Sequence, residues 1–404
     1  MIKVDTSGAV WISLLLMAAP AAANEVTASA VSERPRPWFE RLAVRGYVQF
    51  REQWTLAGDP DLVSDQDRSV GPVGTFSFRR ARVILYGDLS DRVYLYLQPD
   101  FAVQAGATDG SVNFGQLRDL YVDVALDDLR ESRLRFGQSK VPFGFENLQS
   151  SQNRLPLDRA DVMSSGVKDD RDMGVFYMWA PAEIRKRFKT LVDSGLRGSG
   201  DYGALAFGAY SGQGANRPDA NSDVHLVARG TWPFELPGGQ IVEGSLQGYR
   251  GRYVVRTSSS AVQVEDPTGI LDERAVVSAI WYPQPFGLQA EYCTGQGPAL
   301  DPSGTRVRKA PLQGGYVQAM CRLETPHGGV TPFVRWQVYD GGKKAEKDAP
   351  LAHVEDLETG LEWRPSRELE VTLAHAFMNR TNVLAAPYVQ QQGQVVRTQL
   401  QWNF

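Results

Sequence analysis

The strongest constraint on this chain is a repeated alternation of apolar and polar residues over stretches of about ten residues. In one such stretch Val93, Leu95 and Leu97 share one phase, while Tyr94 and Tyr96 occupy the other. An alternation with a period of two residues indicates a strand whose two faces meet different surroundings. No stretch shows a comparable helical stripe, so the sequence predicts an all-β fold.

The segments between these stretches alternate between short and long. Short turns are expected at 89–90, 283–285 and 365–366, whereas 55–74, 140–170, 255–270, 297–311, 341–352 and 379–393 are long and rich in Gly, Pro, Asp, Ser or charge. Tight turns at one end and long loops at the other are typical of transmembrane antiparallel β-barrels. The predicted fold is therefore such a barrel, with the 140–170 stretch as its third outer loop.

Counting on this alternation gives sixteen strands, with eighteen as the alternative. The sixth is expected to be one strand with an insertion at 181–189, because bacterial single-chain barrels have even strand numbers. The predicted spans are 42–54, 75–88, 91–103, 115–126, 132–139, 171–197, 202–211, 222–234, 240–254, 271–282, 286–296, 312–324, 329–340, 353–363, 367–378 and 394–404.

The C-terminal stretch 396–404 alternates without a break. Val396, Leu400, Trp402 and Phe404 share one face, and polar residues such as Arg397 take the other. An uncapped aromatic edge of this kind invites aggregation in a soluble protein. The stretch resembles the last strand of outer-membrane barrels, whose terminal Phe is recognised by the barrel-insertion machinery. Trp402 and Phe404 are therefore the predicted insertion signal.

The N-terminal segment predicts export. Lys3, the apolar run 11–19 and the small residues 21–23 read as a secretory signal peptide over 1–23. Residues 24–40, rich in proline, predict an extended periplasmic leader, because proline lacks an amide donor and suits no central strand. The barrel is then expected over 41–404. No later stretch is apolar for 18 residues, so a helical membrane protein is disfavoured.

The arginines of the predicted strands fall mostly on the phase opposite to the apolar residues. Lipid offers no hydrogen-bond partners, so this polar phase faces the lumen. Around residues 76–85 the phase switches, and a bulge near Arg79 would leave Arg80 and Arg82 inward. The inward set further includes Arg45, Arg51, Arg133, Arg135, Arg322, Arg335 and Arg397.

Two interpretations of this lumen remain open. The arginines could replace part of the hydration of a passing anion, or they could simply be balanced by acids. The acids on inward positions are Asp100, Asp119, Asp123, Glu324, Glu358, Glu362 and Glu370.

Other functions find little support in the sequence. The net charge of −4 gives no bulk attraction to nucleic acid. The four histidines lack metal-ligand spacing, and a Gly-Xaa-Ser-Xaa-Gly signature is absent. Cys293 is expected to face about position 315, far from Cys321, so both thiols are expected to be free. The sequence therefore predicts no catalytic activity, no bound metal ion and no cofactor.

Several segments resemble the phosphate-selective porin O and P family. They are Phe78–Arg82, Leu134–Gly144, Asp170–Val175 and the terminal Phe404, in the family's order. The resemblance implies a sixteen-stranded, usually trimeric barrel with an arginine-lined lumen and a lysine-bearing constriction. Carried over by position, the Arg79–Arg80 pair is the first candidate for an anion site and Lys140 the second. Loop lysines are scarce here, so the resemblance favours an anion channel more firmly than it favours phosphate.

The expected function is passive diffusion of small hydrophilic solutes across the outer membrane of a Gram-negative bacterium. We expect a preference for anions such as phosphate or polyphosphate, and we expect the 140–170 stretch to act as the constriction loop. A general or sugar-passing porin without anion selectivity is the first alternative, and a structural or adhesive barrel is the second.

Overall fold

The computed structural model describes residues 37–67, 69–71, 76–102 and 115–404. Within them, sixteen antiparallel strands form a closed barrel. The strands are β1 Leu42–Gly58, β2 Ser77–Asp88, β3 Val93–Asp100, β4 Gln116–Ala125, β5 Ser132–Lys140, β6 Arg171–Trp179, β7 Leu205–Tyr210, β8 His225–Glu235, β9 Ile241–Tyr253, β10 Ile270–Trp281, β11 Phe286–Leu300, β12 Arg306–Cys321, β13 Gly328–Gly342, β14 Leu351–Arg364, β15 Leu369–Thr381 and β16 Gln390–Asn403.

The barrel closes where β16 pairs with β1, with Tyr47 opposite Asn403. The prediction of sixteen strands is confirmed, and the alternative of eighteen is wrong. Two short additional strands do not enlarge the barrel. Gln263–Val264 pairs with the start of β12 from the loop that precedes β10, and Leu323–Thr325 continues β12 after Arg322.

The barrel has polar residues inside and apolar residues outside. Gln49, Arg51 and Gln53 on β1 are fully buried, whereas Val44 on the same strand is 65% exposed and Leu246 on β9 is 70% exposed. Lipid cannot satisfy polar groups, so a barrel in a membrane presents its apolar phase outward. The prediction that polar residues face the lumen and apolar residues face the lipid is therefore confirmed for these strands.

Loop lengths distinguish the two ends of the barrel. The turns after β2, β4, β8, β10 and β14 are short, which marks the periplasmic end. The connection from β6 to β7, at this same end, is the exception because it contains the helix α3, Ala182–Asp193. The predicted sixth strand over 171–197 is thus wrong beyond Trp179.

Helix α3 follows an amphipathic pattern that the strand interpretation missed. Ile184, Phe188 and Leu191 recur at i, i+4 and i+7 and are all buried. The helix ends before Gly195, whose positive φ of 72° suits glycine. The insertion expected at 181–189 is therefore part of one amphipathic helix, with one exposed face and one buried face.

Two local predictions agree with the structure. Arg80 pairs with Gln49 and Phe78 pairs with Phe50, so Arg79 forms the expected bulge. Cys293 lies opposite Gly314, and both cysteines are free.

The N-terminal predictions extend beyond the part of the chain that the structure describes. The signal peptide over 1–23 and most of the leader over 24–40 lie outside the described residues. Trp38–Arg41 forms a turn of 3₁₀ helix rather than the expected extended chain, and β1 begins at Leu42. No helix in the described ranges is long and apolar enough to cross a membrane.

Candidate functional site: an arginine cavity inside the barrel

The loop between β5 and β6, residues 141–170, lies against the inner wall of the barrel. It contains two single-turn helices, α1 Phe145–Leu148 and α2 Asp161–Ser164. The apolar residues Phe143, Val162 and Met163 are buried in a cluster with inward side chains of β6 to β14. An outer loop thus occupies part of the lumen.

Polar contacts fix this loop to the inner wall. The amides of Phe145 and Glu146 donate to the two carboxylate oxygens of Glu291 on β11, at 2.7 and 2.8 Å. The amide of Asp161 donates to Gln337 on β13 at 2.8 Å. The part of the loop around α1 and α2 therefore docks against β9 to β13. Ser151 and Asp158 of the same loop contact side chains of β1, β2 and β16.

The β6–β7 connection, residues 180–204, enters from the periplasmic end and meets the loop. Leu191 packs in one cluster with Phe145 of the loop, and Gln149 of the loop donates to the backbone carbonyl of Arg197 at 2.6 Å. The Arg197 guanidinium forms a buried ion pair with Glu362 on β14. We call residues 180–204 the periplasmic insertion. Together the two segments occupy the β7–β14 side of the lumen.

A small cavity of ≈ 50 Å³ lies against the opposite wall. We call it the arginine cavity. Eight cationic and three acidic side chains line it, together with smaller polar groups. The charged lining residues are Arg79, Arg80, Arg82, Arg118, Lys140, Arg154, Arg159, Arg171, Asp100, Asp169 and Asp170. An outer vestibule of ≈ 370 Å³ shares Arg79, Arg159 and Asp169 with the cavity, so the two adjoin.

Two guanidiniums of the cavity lack a carboxylate partner among the described residues. Arg80 donates to the side-chain oxygen of Gln49 at 2.7 Å, and its Nε has no partner. Arg154, in the loop, leaves both Nε and Nη1 without an acceptor. Both residues are about 95% buried, at 5% and 6% exposure. A buried charge is costly without a counter-charge, so these two guanidiniums leave uncompensated positive charge in the cavity.

Other arginines of the cavity are paired with acids. Arg82 donates to Asp100 at 2.7 Å, and Arg171 donates to Asp119 at 2.9 Å. These pairs hold the guanidiniums in place, while the excess of cations over acids in the lining leaves the cavity positive.

Arg335 and Arg397, both predicted to line the lumen, instead hold the loop to the wall. Arg335 donates to Glu146 of the loop at 3.0 Å and to Glu358 at 3.1 Å. Arg397 donates to Glu358 at 3.0 Å and to Asp158 of the loop at 2.5 Å. Their side chains are 3% exposed. Both point inward as predicted, but neighbouring acids neutralise them.

Lys140 borders the arginine cavity with its ammonium already engaged. Its Nζ donates to the carbonyl oxygens of Asn147, Leu148 and Gln149 at 2.8, 3.0 and 2.6 Å. These carbonyls lie at the C-terminal end of α1, which attracts a cation. Lys140 therefore fixes the start of the loop and contributes a positive charge to the cavity lining.

Three other predicted lumen arginines lie toward the periplasmic end. Arg133 pairs with Asp201 of the periplasmic insertion at 2.7 Å. Arg135 makes a bidentate contact with Asp123 at 2.7 and 2.8 Å. Arg45 is exposed to solvent and lies over the ring of Tyr86.

Arg322 lies at the periplasmic end, where β12 is interrupted. It pairs with Glu324 at 2.8 Å and donates to the carbonyl of Ser194 in the periplasmic insertion. Its guanidinium is thus engaged at the barrel mouth, away from the arginine cavity.

Four arginines of the cavity were not predicted from the sequence: Arg118, Arg154, Arg159 and Arg171. Arg118 lies at a register shift, where Gln98 pairs with Asp119 and Pro99 pairs with Leu117. Arg118 and Asp119 therefore both point inward, which strict alternation cannot indicate. Arg154 and Arg159 lie in the irregular part of the loop, where no periodic signal exists.

The described residues contain no group of His, Cys, Asp and Glu side chains that could hold a metal ion. At the C-terminus, Trp402 and Phe404 point outward and are 60% and 59% exposed. The amide of Phe404 donates to Gly46 at 3.0 Å, which joins the terminus to β1.

A closed sixteen-stranded barrel with an apolar outer face and a partly filled polar lumen defines an outer-membrane channel of the porin class. The sequence profile of the phosphate-selective porin O and P family matches residues 56–404, and the chain belongs to that family. It is an outer-membrane protein of Gram-negative bacteria. The search among curated proteins found no match.

Solved structures of outer-membrane channels share this fold. OmpF of Salmonella typhi in complex with daunomycin is similar with a TM-score of 0.54 and 14% identity, over 90% of this chain and 97% of that one. The channel DcaP of Acinetobacter baumannii gives 0.53 and 13%, over 90% and 97%. The trimer form of OmpT of Vibrio cholerae gives 0.51 and 10%, over 90% and 99%.

Proposed function

We propose that this porin conducts small hydrophilic solutes with a preference for anions, and that the arginine cavity is the selective part of its path. The observation that carries the proposal is the lining of eight cationic and three acidic side chains. Within it, Arg80 and Arg154 have no carboxylate partner among the described residues. An entering anion would supply the missing counter-charge through charge-assisted hydrogen bonds.

The docked loop supports this proposal because it directs solutes to the arginine side. Loop and periplasmic insertion fill the β7–β14 side, and acids neutralise Arg335 on β13 and Arg397 on β16. We therefore infer that residues 141–170 act as the constriction loop. A series of moderate sites, rather than one tight site, lets an ion both enter and leave.

The reversal potential of the channel in a KCl gradient across a planar bilayer tests the anion preference. Chloride selectivity is expected for the wild type, and Arg80→Ala should reduce it. Arg367→Ala, which removes the same charge from an exposed periplasmic turn, is the matched control and should leave selectivity unchanged. A cation-selective wild type would overturn the proposal, and a non-selective one would support the general-porin alternative. No conductance at all would favour a structural or adhesive barrel.

The choice of phosphate or polyphosphate as the solute rests on the family to which the chain belongs. Arginine forks bind phosphate oxygens bidentately, so phosphate should reside longer in the cavity than chloride. Inorganic phosphate added to a KCl bath should therefore block the chloride current in a concentration-dependent way. Equal currents with and without phosphate would contradict this choice of solute.

We further propose that the channel assembles as a homotrimer and reaches the membrane by way of Trp402 and Phe404. The trimer form of OmpT shares the fold, which supports the first part. The outward, exposed aromatic end of β16 supports recognition by the insertion machinery. Crosslinking of the protein in outer-membrane vesicles would detect the trimer, and a monomer band alone would contradict it.

A further inference from the structure

Three tyrosines form a row across the inner wall between the arginine cavity and the periplasmic end. Tyr86 on β2 pairs with Tyr96 on β3, and Tyr96 pairs with Tyr121 on β4. The rings of Tyr96 and Tyr121 are stacked, with centroids 5.1 Å apart and planes 11° apart. All three residues are half-buried, so part of each remains open to solvent. We call them the tyrosine row.

A guanidinium lies over the ring at each end of the tyrosine row. Arg45 lies 5.2 Å from the ring centroid of Tyr86, and Arg135 lies 3.7 Å from that of Tyr121. Asp123 neutralises Arg135. Arg45 is exposed and has no ion-pair partner among the described residues. Its cationic end is therefore available to an anion beside the rings.

The tyrosine row lies on the same wall as the arginine cavity, nearer to the periplasmic end. Tyr86 follows Arg82 by four residues along β2, which is about 13 Å at the rise of a strand. Tyr202 of the periplasmic insertion approaches from the other side, with its ring centroid 5.4 Å from the Arg135 guanidinium. A solute that leaves the arginine cavity along this wall passes between the row and the insertion.

We propose that the tyrosine row is a second solute site, which favours anions that carry an aromatic ring over anions of equal charge without one. This inference rests on the proposed anion preference. Arg45 would bind the charged group, while the tyrosine rings would contact the flat body of the solute. Aromatic pairs prefer offset-stacked or edge-to-face contact. Tyr96 and Arg135 cover the two faces of Tyr121, so the solute ring would meet the exposed edges of the row. An inorganic anion would gain only the charge contact.

The experiment compares block of the chloride current by phenyl phosphate and by methyl phosphate, added on the periplasmic side of a planar bilayer. The two probes carry the same charged group and differ in the ring. Phenyl phosphate should block at a concentration about two- to tenfold lower, as expected for one aromatic contact. The double variant Tyr96→Leu, Tyr121→Leu should abolish this difference, whereas Tyr96→Phe, which keeps the ring, should preserve it.

Tyr292→Leu is the matched control, because Tyr292 points outward and is 49% exposed on the lipid side. It should block like the wild type with both probes. Equal block by the two probes, or an unchanged difference in the double variant, would overturn the tyrosine site while chloride selectivity persists. A wild type without chloride selectivity would instead overturn the proposed anion preference, so the two failures can be told apart.

Discussion

The ion pair between Arg335 and Glu146 is expected to hold the constriction loop to the barrel wall. Arg335 makes three hydrogen bonds, to Glu146 at 3.0 Å, to the carbonyl of Asp158 at 2.8 Å and to Glu358 at 3.1 Å. Two of these partners belong to the loop. Arg335→Gln should therefore weaken the docking of the loop more than it weakens the barrel, whose strands keep their backbone ladder.

The size of the effect follows from the burial of this pair. Removing one partner of a buried ion pair costs about 3–5 kcal/mol, and both side chains are at most 3% exposed. Glu358 retains Arg397 at 3.0 Å, so the lower end applies. A cost of about 3 kcal/mol shifts the equilibrium between docked and undocked loop by about two orders of magnitude.

Single-channel recording measures this shift directly. Arg335→Gln should raise the open-channel noise and the mean conductance. A loop that detaches from the wall moves within the lumen and leaves the path unobstructed for part of the time. The double variant Arg335→Gln, Glu146→Gln should recover part of the loss, since it no longer leaves an unpaired carboxylate buried. Conductance and noise equal to the wild type in Arg335→Gln would refute the reasoning, as would a double variant noisier than the single one.

Three further outcomes are expected. Replacement of residues 181–203 by a short Asn-Gly turn should increase the conductance, because Leu191 and its neighbours fill part of the lumen; an unchanged conductance would contradict this. A thiol reagent should label two cysteines in the unfolded chain, and in the folded barrel it should leave Cys293 unlabelled because that thiol is buried; detection of an intramolecular disulfide would be the contrary result. Deletion of Phe404 should lower the yield of folded barrel in the outer membrane, measured by heat-modifiable migration, with Asn403→Ser as the control.

The strands could be predicted because lipid imposes one rule on every residue of the outer face. Leu246 and Val44 have to be apolar, so the alternation survives along the whole chain. Even the Arg79 bulge was predictable, since Phe78 and Ala81 lie in opposite phases of that rule. Helix α3 was not predicted because this rule does not apply to it. Its apolar stripe packs against protein and not against lipid, and its residues were assigned to a strand.

The candidate site was less predictable because alternation gives direction but not partners. Arg82 and Arg335 were both expected to point inward, and both do. One of the two carboxylates that neutralise Arg335 comes from the loop, at a distance of 189 residues along the chain. Arg154, which remains unpaired, also comes from the loop. No local pattern in the sequence indicates which strand arginine meets which loop residue.

The loop between β5 and β6 therefore affects the arginines of the lumen in two ways. Its acids, Glu146 and Asp158, lie against Arg335 and Arg397 and neutralise that wall. Arg154 of the same loop lies toward the opposite wall and adds to the positive charge there. The positive charge of the cavity is thus a consequence of how the loop docks, and not of the strand arginines alone. A variant that undocks the loop should lose anion selectivity even though every arginine of the barrel wall remains in place.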